Sequence, residues 1–367
     1  MNVMDGKKVM VGMSGGVDSS VAALLLKEAG YSVVGVTLRL WVDPYSEERA
    51  GEEARGCCSL EAITDARRVA DMLDIPHYVL NMQDEFKEHI VSNFTDEYLQ
   101  GRTPNPCIEC NRTIKFSMML QKARALGINK IATGHYARIQ YDSAAGQYRL
   151  FRGHDRQKDQ TYMLYVLGQA ELAATLFPLG AMSKHQVRDV AAKNNLRVAA
   201  KKESQEICFI PDNDYRAFME RQCPGAHQPG EIVNTAGRRL GRHSGVAAYT
   251  VGQRKGLGLT SSTPLYVVQI DARRNVVVVG EEKETYSTGL IAERLHFVAG
   301  TVPKSKTAVQ VKIRYRAPAV PAVLFPPNGT RTKVVFEEGQ KAVTPGQSAV
   351  FYIGEEVIGG GVIQSML

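Results

Sequence analysis

Ser14-Gly15-Gly16-Val17-Asp18-Ser19 lies between the apolar run Lys8-Val9-Met10-Val11 and a helical pattern from Ser20 to Ala29. Strand, glycine turn and helix start in this order make a pocket for a polyphosphate. The unpaired N–H groups of the helix's first turn point at the ligand, and the helix dipole favours negative charge there. Gly15 and Gly16 let the main chain approach without a Cβ in the way, and Ser14 and Ser19 add hydroxyl donors. Asp18 is expected to reach the phosphates through Mg²⁺. The string is not a Walker loop, G-x-x-x-x-G-K-[ST], whose lysine serves the β- and γ-phosphates; none occurs in the chain. Gly12 to Gly16 also fit G-x-S-x-G, a nucleophile elbow, but an elbow follows several strands and this turn follows the first. A plain glycine turn closing a βα unit is the third reading.

The S-G-G-x-D-S string resembles the PP-loop of ATP pyrophosphatases. The resemblance implies an enzyme that splits ATP between its α- and β-phosphates and adenylates a carbonyl oxygen. With 367 residues the chain predicts two or three domains. Lys plus Arg number 45 against 38 Asp plus Glu, a formal net charge of +7 that suits a nucleic-acid substrate. Six cysteines in so long a chain do not make a secreted disulfide scaffold, and the N-terminus enters a strand without a signal-type apolar region. No apolar run approaches the roughly 18 residues of a membrane helix. A cytoplasmic, reducing setting without membrane contact is expected, in which cysteines serve chemistry.

Apolar strands alternate with amphipathic helical patterns over the first 200 or so residues. Strands are expected over 32–40, 77–81 and 128–133, and helices over 60–73, 84–99 and 113–126. This alternation predicts an α/β fold with a doubly wound parallel sheet whose ligands lie at the carboxyl ends of the strands, where Ser14 and Gly134 both fall. Beyond residue 210 glycine turns and short alternating segments take over. Residues 265–270 and 276–279 read as a hairpin, and 309–315, 319–325, 333–336 and 349–353 as strands of a small barrel. The expected domains are 1–210, nucleotide-binding and catalytic; 211–284, a small linking domain; and 285–367, a β-barrel facing nucleic acid.

Gly101-Arg102-Thr103-Pro104-Asn105-Pro106-Cys107-Ile108-Glu109-Cys110-Asn111 is a proline-stiffened loop that displays a C-x-x-C pair just before a helix. A thiolate is stabilised near a helix N-terminus, as a nucleophile or metal ligand needs. Cys208 stands beyond Lys201 and Lys202. Cys57, Cys58 and Cys223 read as small hydrophobes or a surface thiol.

These motifs, with Thr133-Gly134-His135-Tyr136, Lys158-Asp159-Gln160, Ile207-Cys208-Phe209-Ile210, Gly252-Gln253-Arg254-Lys255-Gly256-Leu257-Gly258 and Thr344-Pro345-Gly346-Gln347-Ser348, resemble in order those of the MnmA/TrmU family of tRNA-specific 2-thiouridylases. The likeness runs along nearly the whole chain. It implies replacement of oxygen by sulfur at C2 of the wobble uridine in tRNAs for glutamate, glutamine and lysine. It further implies that Gly12, Met13, Ser14, Gly15, Gly16, Val17, Asp18, Ser19, Leu38 and Gly134 hold ATP, and that Asn105, Pro106 and Cys107 face the flipped base. His135, Lys158, Asp159, Gln160, Arg314, Tyr315 and Gln347 would touch tRNA, with Cys110 as nucleophile and Cys208 as persulfide carrier. Singly, His135 also reads as a satisfied loop histidine, and Lys158 and Arg314 as solvated charges. Arg314 and Tyr315, taken as part of a barrel strand, suit a nucleic-acid face.

The resemblance breaks at Cys107, where the family's better-known members carry aspartate, and at Glu206, where they carry glycine. Three thiols open two routes for sulfur. One is a 4Fe–4S cluster on Cys107, Cys110 and Cys208 with an open iron for hydrosulfide. The other is a Cys208 persulfide loaded by a cysteine desulfurase or sulfur-relay protein, with Cys110 completing the exchange through a disulfide. A structural zinc, with a fourth ligand such as Cys58, is the third reading. A PP-loop amide ligase acting on a small molecule is the alternative activity; it requires the glycine turn but neither the three cysteines nor a basic barrel.

Overall fold

The computed structural model describes residues 7–41, 60–201, 207–210, 214–225 and 228–367. Cys57, Cys58 and Glu206 lie outside them. The chain divides into two compact units, one of Met1–Ile90, Cys107–Asn213 and Glu355–Val357, the other of Val91–Pro106, Asp214–Gly354 and Ile358–Leu367.

The first unit begins with β1 (Lys8–Gly12), whose Val9, Met10 and Val11 are all fully buried, as a strand covered on both faces requires. There follow α1 (Val17–Glu28), β2 (Ser32–Arg39), α2 (Leu60–Met72), β3 (His77–Asn81) and α3 (Gln83–Phe86). The helix expected over 84–99 is interrupted by a π-helical turn, Lys87–Val91, after which α4 (Ser92–Leu99) belongs to the second unit. The extra residue per π turn shifts the phase of the apolar face, and Phe86, Ile90, Val91, Phe94 and Tyr98 are all buried. After α5 (Pro106–Cys110) a second π-helical stretch, Asn111–Met118, leads into α6 (Met119–Ala125). The unit continues with β4 (Ile131–Ala132), the hairpin β5 (Ala137–Asp142) and β6 (Gln147–Arg152), then α7 (Gln169–Ala174), β7 (Thr175–Leu176) and α8 (Lys184–Lys193).

Its sheet has the order β3-β2-β1-β4-β7, with every pair parallel, so the doubly wound expectation holds. The order reverses between β1 and β4. The turns leaving these two strands therefore flank the crevice in which such sheets bind ligands. Val9 and Val11 of β1, Val21 and Leu24 of α1, Val69 of α2 and Val187 of α8 share one core.

In the second unit α9 (Tyr215–Gln222) precedes a four-stranded sheet of β8 (Gly230–Asn234), β9 (Arg239–His243), β10 (Tyr266–Asp271) and β11 (Val276–Gly280), ordered β10-β11-β8-β9. The expected hairpin is β10 with β11. Six further strands, β12 (Tyr286–Phe297), β13 (Thr307–Lys312), β14 (Val320–Leu324), β15 (Arg331–Lys341), β16 (Ser348–Ile353) and β17 (Glu356–Met366), run in the order β12-β15-β14-β13-β16-β17. Pairing of β12 with β17 closes the barrel around Leu290, Val311, Leu324, Val334, Phe351 and Ile363. One expectation is corrected here: Arg314 and Tyr315 are not strand residues. Val311 already faces Val320, so the chain must reverse between them, and 314–315 lie in that turn.

Candidate active site

The turn after β1 is built on close approach. Gly15 has φ +69°, and a Cβ there would stand 2.2 Å from the Ala62 carbonyl oxygen of α2, so no other residue fits. Gly16 is the N-cap of α1 with φ −101° and ψ 166°, and no side chain caps it. The serines shape the turn. Ser14 N donates to Ser19 Oγ at 3.1 Å, while Ser19 and Ser20 donate their hydroxyls to the Gly16 carbonyl at 3.2 and 2.9 Å. Met13 is fixed behind it, its N–H donating to Val36 O at 2.7 Å and its carbonyl accepting from Thr37 Oγ1 at 2.7 Å. Leu38, half-buried, is the last but one residue of β2, in register with Leu80 of β3.

The turn after β4 presses on the same helix start. A Cβ at Gly134 would lie 2.7 Å from both Asp18 C and Ser19 N. Tyr136 hydroxyl donates to Asp18 Oδ1 at 2.7 Å, and Lys184 Nζ lies 2.8 Å from Oδ1 and 2.7 Å from Oδ2 of the same carboxylate. Gly134 and the run 12–19 thus converge at one crevice. Lys184 and the phenol of Tyr136 were not among the expected site residues; only Ser183 and Gln186, a capping-box spacing, marked the helix that carries Lys184.

The cysteine loop is braced within the second unit up to Pro106. Arg102 pairs with Glu97 at 2.6 Å and Glu293 at 3.0 Å, and Arg294 pairs with Glu97 at 2.5 Å. Thr103 N donates to Pro345 O at 2.8 Å, and Gln347 Nε2 donates to the carbonyls of Thr103 and Pro104 at 2.8 and 3.4 Å. Asn105 and Pro106 follow this clamp directly. Cys107 is half-buried, and Cys110, one helical turn on, is buried. Asn111, only 1% exposed, donates Nδ2 to Met163 O at 3.0 Å and ties the start of the π-helical stretch to the neighbouring turn. Cys208 is half-buried beside Phe209, whose ring lies 6.4 Å from Trp41 and 5.6 Å from Phe86.

Among the described residues no group of three or more His, Cys, Asp or Glu is placed to hold a metal ion. Cys107 and Cys110 share one helical turn, and Cys58, the fourth ligand that a zinc would need, lies outside the described residues.

The residues expected on tRNA divide. Lys158 is half-buried and Arg314 exposed, the latter donating Nη2 to Lys341 O at 2.6 Å; Lys312 Nζ sits 5.5 Å from the Tyr315 ring. Asp159 is turned inward, only 7% exposed, accepting from Gly153 N at 3.1 Å and Thr161 Oγ1 at 2.9 Å. Gln160 Oε1 accepts from Tyr136 N at 3.0 Å. The side chains of Asp159, Gln160 and Gln347 are thus engaged in loop scaffolding. His135 lies among Phe116 and Phe177 with Nδ1 2.7 Å from Thr133 Oγ1, and burial, with Lys115 nearby, pushes its pKa down to about 3.

A parallel sheet ordered 3-2-1-4, a two-glycine turn and an uncapped helix start at its switch point define a nucleotide-binding domain of the PP-loop class. Models of three domains match successive parts of the chain: the tRNA methyl transferase HUP domain over residues 7–212, the tRNA methyl transferase PRC-barrel domain over 216–281 and the Aminomethyltransferase beta-barrel domain over 287–363. The tRNA-specific 2-thiouridylase MnmA of Carboxydothermus hydrogenoformans is 54% identical over 367 residues, 100% of both chains. That of Acetivibrio thermocellus is 52% identical over 361 residues, 98% of this chain and 100% of the relative. The chain belongs to the MnmA family of tRNA-specific 2-thiouridylases. Among solved structures, a 4-thiouridine synthetase in complex with RNA and bound ATP is 16% identical, with a TM-score of 0.37 over 60% of this chain and 51% of that one. The U34-tRNA thiolase NcsA of Methanococcus maripaludis, with its 4Fe–4S cluster, is 20% identical, with a TM-score of 0.35 over 60% and 67%. Both likenesses are too distant to carry an argument. No described helix is long and apolar enough to cross a membrane.

Proposed function

We propose that the chain catalyses ATP-dependent 2-thiolation of the wobble uridine in the tRNAs for glutamate, glutamine and lysine, in the cytoplasm. The observation that carries this reading is the open glycine turn at the sheet's switch point, in a chain more than half identical to a named tRNA-specific 2-thiouridylase. A uridine carbonyl is a poor electrophile, so its oxygen must first become a leaving group. The C2 oxygen attacks the α-phosphorus of ATP, the bond from that phosphorus to the bridging oxygen breaks with its electron pair on pyrophosphate, and the N3 proton passes to water. Asp18 is the residue that would hold Mg²⁺, which neutralises phosphate charge when bound. Lys158, Arg314 and Tyr315 supply cationic and stacking contacts for the RNA, and Asn105, Pro106 and Cys107 face the flipped base.

Sulfur then travels through the cysteines. A Cys208 persulfide, loaded by a cysteine desulfurase or sulfur-relay protein, attacks C2 and expels AMP. The Cys110 thiolate attacks Cys208 Sγ, forming a disulfide and releasing 2-thiouridine, which takes a proton at N3. A dithiol reductant returns both thiols with two electrons. No step is assigned to an iron–sulfur cluster. The test is ATP–pyrophosphate exchange with and without unmodified tRNA, together with Cys110→Ser and Cys208→Ser. Exchange that requires tRNA and survives both substitutions, with thiolation abolished, is the expected result. Exchange without tRNA returns the chain to a small-molecule ligase. Anaerobically purified protein with about four irons per chain, lost in Cys107→Ser, would replace the persulfide by a cluster.

A further inference from the structure

The glycine turn carries no lysine, yet a polyphosphate held there needs cations for its β- and γ-oxygens. Lys184 is the cation that the fold brings to the turn. It opens α8 behind Ser183, whose Oγ accepts from Gln186 N at 3.2 Å while Gln186 Oε1 accepts from Ser183 N at 2.8 Å. Its own N–H donates to the Asp155 carboxylate at 2.9 Å, so the main chain is fixed on both sides. Lys184 is 9% exposed, with Nζ on both Asp18 oxygens and 5.9 Å from the Tyr136 ring. Ordering and desolvating a long lysine is unfavourable, and a surface ion pair would not require it.

Resting on the ATP reading above, we infer that Lys184 is the phosphate-binding lysine of this site. The Asp18 carboxylate stands on Nζ where a phosphate's oxygens would. Asp18 would hold Mg²⁺ when it is bound, and Nζ would meet the β- or γ-phosphate, where its charge would stabilise the electron pair that departs on pyrophosphate. No covalent bond to Lys184 forms or breaks.

The full chain is titrated with pyrophosphate by calorimetry, with and without Mg²⁺, alongside tRNA-dependent exchange and thermal melting. Lys184→Met is expected to weaken pyrophosphate binding at least tenfold and to lower the exchange rate about a hundredfold; Lys184→Arg retains most of the binding. Asp18→Asn uncovers the ammonium, so pyrophosphate binds more tightly without Mg²⁺, and adding Lys184→Met removes that gain. A Lys184→Met protein with wild-type pyrophosphate affinity and exchange overturns the inference, whatever its melting temperature. So does an Asp18→Asn gain that survives loss of Lys184. If Lys184→Met does not fold, the Asp18→Asn titration decides alone, and no gain overturns the inference. Wild-type protein with no tRNA-dependent exchange sinks the ATP reading instead, while the pyrophosphate titrations still judge Lys184.

Discussion

Gly134 and His135 adjoin in sequence and make opposite demands on the site. Gly134 is a matter of room. A methyl there meets Asp18 C and Ser19 N, backbone atoms that cannot swing aside, so Gly134→Ala must push the first turn of α1 away from the glycine turn. The expected outcome is an ATP KM raised at least tenfold with a smaller change in KM for tRNA, read from steady-state kinetics; an unchanged ATP KM would place ATP elsewhere. His135 is a matter of charge. With its pKa near 3 it is neutral in the folded protein at neutral pH, whereas in the unfolded chain it titrates near 6.5. Between those values the unfolded chain binds a proton that the native state refuses, so stability falls as pH drops from about 6.5 toward about 3. His135→Gln should flatten the dependence of the urea midpoint on pH over the accessible part of that window. His77 and His243, also lowered by burial, leave a residual slope. A neutral imidazole also meets RNA through a hydrogen bond or its ring rather than as a cation.

The brace on the cysteine loop belongs to elements rather than to any one side chain. The turn joining β15 to β16 holds Thr103 and Pro104 through Pro345 O and Gln347 Nε2, and Gly346, at φ +92°, would put a Cβ 2.7 Å from Thr103 N. Gln347→Ala removes the side-chain half of the clamp and should cost about 1 kcal/mol of stability. If the clamp sets the Asn105-Pro106-Cys107 segment, the same change lowers the thiolation kcat several-fold and leaves ATP–pyrophosphate exchange nearly unchanged. Equal losses in both would show general unfolding. Neither this clamp nor the Asp18–Lys184 pair was legible in the sequence, because the partners stand 244 and 166 residues apart and each is an ordinary polar residue locally. What was legible was local. The glycine turn, the parallel alternation and β3 over 77–81 follow from apolar period and turn chemistry, and the hairpin of β10 and β11 from two short runs with a turn between. The π-helical stretches were missed since their apolar spacing imitates an α-helix. Arg314 and Tyr315 were misassigned because a basic and aromatic pair reads alike in a strand and in the turn after it.

Charge is the property that spans the molecule. A net +7 promises attraction to RNA but is spread over many side chains, and only those that meet phosphates release counterions. Lys158 belongs to the first unit and Arg314 to the second, so each reports on its own unit. Each phosphate contact adds about 0.7 to 0.9 to the slope of log affinity against log salt concentration. Lys158→Ala and Arg314→Ala are therefore each expected to lower the slope of tRNA binding by about one, and the double variant by about two, with unaltered ATP binding. Additivity is the outcome for two contacts that do not interact, and a double variant that falls short of two would show that they are coupled. Binding of unmodified glutamate tRNA, measured at several salt concentrations, checks this directly. A single variant that weakens affinity at every salt concentration without changing the slope acts through shape or stacking, the role that fits Tyr315 better than either cation. A slope that no substitution moves would mean that the phosphates are met by other members of the positive surface, and the site on this chain would have to be sought among its remaining lysines and arginines.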